Sequence, residues 1–226
     1  MYRLERKFNS NKFDELISVE RYLILNRFLN FRKSFKPRLI NNVYFDDFSN
    51  SSFYENSDGL LIKKKIRLRW YDDNLNSLRL EIKSKNGDYG SKKVWKIKLK
   101  EMSYKSLILL LKNYNVFLKY VNKSEIEPEI KYIFSLIKPV SFNNYNREYF
   151  IDLHKKIRMT IDSDLIFKNW RLGVNEFSHN LPSLKVFEFK YLHNDFKSVH
   201  LYEAFIKQFP LKISKFSKFA HSSYSN

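Results

Sequence analysis

Cysteine is absent from the 226 residues. That excludes thiol catalysis, disulfide bracing and cysteine-based zinc sites, and it fits a reducing compartment. Glycine (4) and proline (5) are scarce, so no linker or low-complexity stretch interrupts the chain. No repeat recurs at solenoid or propeller periods. Long apolar runs are missing too: the longest, Leu107 to Leu111, falls far short of a bilayer span. The opening residues, Met1-Tyr2-Arg3-Leu4-Glu5-Arg6-Lys7, hold no signal-peptide core. A cytoplasmic chain that does not cross a membrane by itself is expected. The five histidines, His154, His179, His193, His200 and His221, show no zinc-binding spacing. There is no nucleophile-elbow G-x-S-x-G, no Walker A loop and no dinucleotide-binding glycine signature.

Acids are also in short supply. Lysine and arginine number 42 against 24 aspartates and glutamates, a net charge of +18. Such an excess points to a polyanionic partner: nucleic acid, an anionic membrane or a polyphosphate. AT-rich codon usage would raise Lys, Asn, Ile and Phe together, so the placement of the charges decides. They sit at alternate positions of strand-like segments. In Ile62 to Asp73, Lys65, Arg67, Arg69 and Tyr71 take one face, and Ile66, Leu68 and Trp70 the other. In Leu78 to Lys85, Arg79, Glu81, Lys83 and Lys85 oppose Leu78, Leu80 and Ile82. Gly90 to Lys100 sets Lys92, Lys96 and Lys98 against Trp95, Ile97 and Leu99. Leu184 to Leu192 sets Glu188 and Lys190 against Phe187, Phe189 and Tyr191.

Further strands are expected at Tyr2 to Asn9, Ile40 to Asp47, Phe142 to Asp152 and Lys156 to Phe167. Helices are expected at 12–29 (capped by Asn11), 103–113, 127–138 and 199–209 (following Ser198). About eight strands suit an α+β fold: a closed antiparallel β-barrel tunnel with helices packed on the outside, formed by residues 1–226 as a single domain. A half-solvated sheet with its polar face outward is the common alternative. Turned inward, the charged faces would make a cationic tunnel whose like charges repel until an anion compensates them.

The ordered motifs resemble a known family. They are Glu5-Arg6-Lys7-Phe8, Asn42-Val43-Tyr44-Phe45-Asp46-Asp47, Ser52-Phe53-Tyr54-Glu55, Ile66-Arg67-Leu68-Arg69-Trp70-Tyr71 and Leu80-Glu81-Ile82-Lys83. Tyr145-Asn146-Arg147, Ile157-Arg158-Met159-Thr160-Ile161-Asp162, Phe187-Glu188-Phe189-Lys190 and Ser217-Lys218-Phe219 follow. Order and spacing resemble the vacuolar transporter chaperone (VTC) polyphosphate polymerase domain, a triphosphate tunnel metalloenzyme. The resemblance implies a polyphosphate polymerase that passes the terminal phosphoryl of ATP or another nucleoside triphosphate to a growing chain, with Mn²⁺ or Mg²⁺. It implies phosphate binding by Lys7, Arg67, Arg69, Lys83, Lys92, Arg147, Arg158 and Lys218. Of these, Lys7, Arg67, Arg69, Lys83 and Arg158 form the catalytic set. Glu188 is implied as the metal carboxylate. Lys92 is preferred to Lys93 because it faces away from Trp95, and Lys218 competes with Lys215. Family relatives often work within membrane assemblies, which leaves room for membrane association through a membrane-protein partner.

The residue types suit the chemistry. Phosphoryl transfer needs in-line positioning and stabilisation of charge on phosphoryl oxygens. An arginine fork holds two such oxygens at once, and lysine supplies a compact charge. A hard divalent ion takes one or two carboxylates plus phosphate oxygens. Glu5 and Glu81 are further carboxylates that serve either a metal or neighbouring cations. One departure stands out: hydrolytic relatives often begin E-x-E-x-K, whereas Arg3 replaces the first acid here. That favours holding a phosphate chain over two-metal hydrolysis. A triphosphatase or nucleoside triphosphatase on the same fold, and a non-catalytic polyphosphate-binding module, are the alternatives. No basic helix or base-stacking motif is present, so nucleic acid is not expected as a partner. Removing Arg67 or Arg158 is expected to relieve repulsion and leave the fold intact.

Overall fold

The computed structural model describes residues 3–26, 29–87, 89–98, 102–123, 125–170, 177–192 and 196–223. The elements follow as β1 (Arg3–Ser10), α1 (Phe13–Leu25), β2 (Arg32–Asp46), α2 (Ser51–Ser57), β3 (Ile62–Tyr71), β4 (Asn74–Asn86) and β5 (Tyr89–Lys96). Then come α3 (Tyr104–Lys112), α4 (Tyr114–Lys123), α5 (Pro128–Ser135), β6 (Lys138–Ile151), β7 (Ile157–Asn169), β8 (Phe177–Leu181), β9 (Lys185–Leu192), α6 (Phe196–Gln208) and α7 (Lys218–Ser223). The strands are hydrogen-bonded in the order β1-β9-β7-β6-β2-β3-β4-β5, with β8 on β7. The ladders β1/β9, β7/β9, β2/β3, β3/β4 and β4/β5 are antiparallel.

The α+β class and the antiparallel sheet match the sequence pattern; closure does not. β1 and β5 stand at the two ends of the strand order, and among the described residues no ladder joins them. The composition of β5 gives the reason. It is only eight residues long, and Lys92, Lys93 and Lys96 are all exposed on it. Lysines on an edge strand discourage further pairing.

The chain forms two compact units. The first comprises Met1–Leu39, Tyr145–Leu165 and Asn180–Phe216; the second comprises Ile40–Asn144, Ile166–His179 and Ser217–Asn226. In the second unit, Ile66, Leu68 and Trp70 of β3 and Leu78 and Leu80 of β4 are buried against Leu107, Leu111, Phe117, Ile130 and Phe134 of α3, α4 and α5. In the first unit, Phe8, Met159, Phe187 and Phe189 are buried with Phe205 and Phe209 of α6 and its C-terminal end. Edge-to-face contacts such as Phe189 on Phe205, at 5.4 Å between ring centres, fill that core. Strand periodicity of two therefore sorts β3, β4 and β9 as the sequence does, apolar residues to one face and charged residues to the other, while β5 departs from it, with Lys93 across from Ile82 and Val94 across from Glu81.

Local signals account for the remaining differences. β2 begins at Arg32, eight residues before the expected Ile40; Arg32 to Leu39 carry no apolar alternation, so the sequence pattern does not mark them as strand. The N-cap of α1 is Lys12, whose side chain makes no capping bond. Neighbouring Ser10 supplies the polar partner instead of Asn11: its hydroxyl accepts from Lys12 N and donates to Glu15. α6 starts two residues before Ser198. β5 ends at Lys96, which leaves Lys98 outside the strand; Leu99 and Lys100 lie outside the described residues, as does His193. Among the described residues, no helix is long and apolar enough to cross a membrane.

Candidate functional site

The charged face of β3 and β4, in the second unit, is built around one acid. Glu81 on β4 is 2% exposed. Arg67 lies directly across from it on β3 and donates to its Oε2 from Nε (2.8 Å) and Nη2 (2.6 Å). Lys92, from β5, donates to Oε1 at 2.7 Å, and Arg69 Nη1 is 3.8 Å from Oε2. Burial would raise this carboxyl, but Arg67, Arg69 and Lys92 outweigh it and hold it down to about 2. Lys92 tells the complementary story. Burial lowers it, and the push of Arg67 and Arg69 adds to that, so Glu81 only partly offsets the lowering. One carboxylate does not balance the cations gathered here.

Side chains beyond the expected set fix this geometry. Arg69 Nε donates to Asn42 Oδ1 at 2.8 Å, and Asn42 Nδ2 donates to Asn143 Oδ1 at 2.9 Å. Both amides are buried, so Arg69 is held from its Nε side by a two-residue relay. Tyr44 accepts from Arg67 Nη1 at 3.3 Å. Burial raises its phenol, yet Arg67 and Arg69 bring it down to about 8. Its ring meets Phe219 at 5.1 Å. Ser217 Oγ accepts from Lys65 Nζ at 3.1 Å, which brings the Ser217-Lys218-Phe219 segment to the charged face of β3. Lys218 opens α7 and is half-buried, and Lys83 is exposed in a row with Lys65 and Lys92. Lys92 rather than Lys93 takes the charged face, because Lys93 pairs with Ile82 on the other.

The charged face of the first unit is built around a second acid. Glu188 on β9 is 8% exposed. Lys7 of β1 and Thr160 of β7 flank it in register. Lys190 Nζ is 2.9 Å and Arg147 Nη2 3.7 Å from its carboxylate. Burial would raise Glu188, but Lys190, Lys7 and Arg147 hold it well below the usual range. The Glu5 side chain lies within hydrogen-bonding reach of it, and Lys7 Nζ is 3.1 Å from Glu5 Oε1.

Two expected phosphate binders differ in this unit. Arg147 grips fully buried Asp162 through Nε (2.5 Å) and Nη2 (2.7 Å). Burial would lower it, and Asp162 holds it well above its ordinary value. Its first task is therefore to neutralise Asp162. Arg158 is exposed beside Lys190 in register, and makes no ion pair with the described residues.

Some roles escaped the sequence. Glu81 sits in an alternating run that marks a charged face, but nothing in that run says the acid is a clip for three cations. Asn42 and Tyr44 share the parity of the charged face in Asn42-Val43-Tyr44, and this signal could have found them. Asp162 was visible only as part of a motif. The contact argues against the expectation that losing Arg67 leaves the fold intact, since Arg67 is the nearest partner of buried Glu81.

For a divalent ion, Glu188 offers a hard oxygen, with Glu5 beside it. The Thr160 hydroxyl, across from Glu188, is buried without a hydrogen-bond partner. Among the described residues, no group of three or more acids or histidines is placed to hold a metal. An ion held at these carboxylates would take most of its shell from phosphate oxygens and water.

A model of the VTC domain family matches residues 8–225. Among solved structures, the chain is similar to a proposed adenylyl cyclase from Hippeastrum described as having a dominant triphosphatase activity. The identity is 15%, the TM-score 0.50, and the match covers 98% of this chain and 95% of that one. It is also similar to a proposed adenylate cyclase from Vibrio parahaemolyticus (12% identity, TM-score 0.47, 99% of each chain). A third similar structure is a protein from Pyrococcus horikoshii (13% identity, TM-score 0.48, 97% of each chain). The Hippeastrum likeness shows a shared fold and nothing about activity. No curated protein matches. The family match spans nearly the whole sequence, and the chain belongs to the VTC domain family.

Proposed function

We propose that this chain is a divalent-metal-dependent polyphosphate polymerase, which moves the terminal phosphoryl group of a nucleoside triphosphate onto a growing polyphosphate chain. The observation that carries the reading is the charged face of β3, β4 and β5, where one buried acid is shared by Arg67, Arg69 and Lys92. A face built this way gains stability when phosphate oxygens supply the missing negative charge. Membership of the VTC domain family points the same way.

The catalytic work falls to cations. Arg67 and Arg69 are oriented by Glu81 and Asn42, so their remaining N–H groups are poised to hold phosphoryl oxygens and to stabilise charge as the bond breaks. Lys7, Lys83 and Arg158 add charge, with Lys92 and Lys218 as further contacts. Arg147 contributes mainly by neutralising Asp162. Glu188, with Glu5 and the Thr160 hydroxyl, would hold Mn²⁺ or Mg²⁺. A bound ion would neutralise phosphate oxygens and help fix their orientation.

The second reading is a triphosphatase on the same fold, the activity described for the Hippeastrum relative. Arg3, standing where hydrolytic relatives often carry an acid, argues against it. Incubation of the purified chain with ATP and Mn²⁺, with and without a pyrophosphate primer, separates the two. Accumulating polyphosphate supports the polymerase. Phosphate release from tripolyphosphate without chain growth supports the hydrolase. Arg158→Ala should lower turnover by roughly 100-fold or more while leaving the melting temperature unchanged, because Arg158 is exposed and holds no ion pair among the described residues.

A further inference from the structure

The charged face of β3 and β4 continues past the residues given a role so far. Successive register rows run Arg69↔Arg79, Arg67↔Glu81, Lys65↔Lys83 and Lys63↔Lys85. β5 adds Lys92 to the Lys65↔Lys83 row and Gly90 to the last. Side chains two residues apart share a face, so all four rows point the same way. The charged residues of the first row, which Lys96 of β5 extends, are cations alone, but Arg69 reaches Glu81 in the next row; the last two rows are also without an acid of their own.

Like charges placed directly across adjacent strands destabilise a sheet. The usual remedy is an acid in the row or beside it. Lys92 takes that remedy by reaching to Glu81, and Lys65 reaches Ser217. Lys63 and Lys85 have no acidic partner among the described residues. A solvated surface strand would tolerate one such pair, but two consecutive all-cation rows are a poor choice for a surface meant only for water. A linear polyanion laid along the strands meets each row in turn. From Arg69 to Lys63 is six residues, about 20 Å at roughly 3.4 Å per residue. Three linked phosphates fall well short of that length.

We propose that Lys63 and Lys85 form an outer subsite that binds the distal phosphates of a polyphosphate chain longer than triphosphate. This rests on the proposed phosphate-binding role of the same face and extends it. The subsite makes chain length a determinant of affinity: tripolyphosphate ends before Lys63 and Lys85, and a long chain engages them.

The test compares binding of tripolyphosphate and of long-chain polyphosphate by the intact protein and by the Lys63→Gln/Lys85→Gln double variant, at one fixed salt concentration. Among the described residues neither is a hydrogen-bond or ion-pair partner of Glu81, and removing a like-charged pair should leave the melting temperature equal or higher. The double variant should lose about tenfold in affinity for the long chain, with a shallower salt dependence. Its affinity for tripolyphosphate should stay within about twofold. No loss, or an equal loss for both ligands, overturns the outer subsite and leaves the proposed function standing. If the unaltered protein binds neither ligand, the proposed function falls and the subsite falls with it.

Discussion

Glu81 is where a single residue matters most to the second unit. A buried carboxylate with Arg67, Arg69 and Lys92 around it does more than accept hydrogen bonds, because it lets three cations share a small area. Stripping its charge leaves them to repel one another in partly desolvated surroundings. Glu81→Gln should cost about 3 kcal/mol, a figure kept low because Lys92 is half-exposed, and a urea midpoint measures it. The pH dependence has a definite sign. The Glu81 carboxyl sits at about 2, below its ordinary 4.5. Its contribution is therefore complete above about 4.5 and lost as pH falls towards 2. The variant should lose that part of the acid-unfolding limb; an unchanged midpoint and limb would remove Glu81 from the account. The sequence makes Glu81 visible as an acid on a cationic face. What stays hidden is the choice between metal ligand and cation clip, because it depends on which side chains reach across the strands. Arg147 shows the same limit: its motif suggests phosphate, and its closest bonds go to Asp162.

At the scale of elements, most of the fold follows from periodicity. β3, β4 and β9 carry their apolar and charged residues on alternate positions, and each falls on the face that the alternation assigns. The short elements do not announce themselves. α2 has only seven residues, and its N-cap, Asn50, has left-handed backbone angles and makes no side-chain capping bond. It is held instead from the end of β2. Buried Asp46 accepts from Ser52 N at 2.9 Å and Phe53 N at 3.0 Å, and also from Asp47 N at 3.0 Å. Such a long-range cap has no local sequence signature. Asp46→Ala should destabilise the protein by about 2 kcal/mol, since it strips a cap and leaves backbone donors unpaired. Thermal denaturation checks this, and a cost near zero would show that packing and the bond from Ser51 N to Asp47 Oδ1 hold α2 without Asp46. Barrel closure is hidden from the sequence for a related reason. Strand number suggests it, but an edge strand's exposed lysines oppose it, and that balance is set by exposure, which a single sequence does not display.

Over the whole molecule, the excess of basic residues is organised, and this gives the net charge its meaning. In each unit one face of the sheet gathers cations around a buried acid, Glu81 in the second and Glu188 in the first, while the opposite face packs on helices. Codon usage can raise the lysine count, but it cannot assign Arg67, Arg69 and Lys92 to one carboxylate. The central claim is that these faces bind phosphate. A crystal structure of the chain soaked with triphosphate and Mn²⁺ tests it most directly. On the charged face of the second unit the account predicts phosphate oxygens within hydrogen-bonding distance of Arg67, Arg69 and Lys83; on that of the first unit it predicts phosphate at Arg158 and the ion on Glu188. Phosphate found only on other surface lysines, with these side chains untouched, would contradict it.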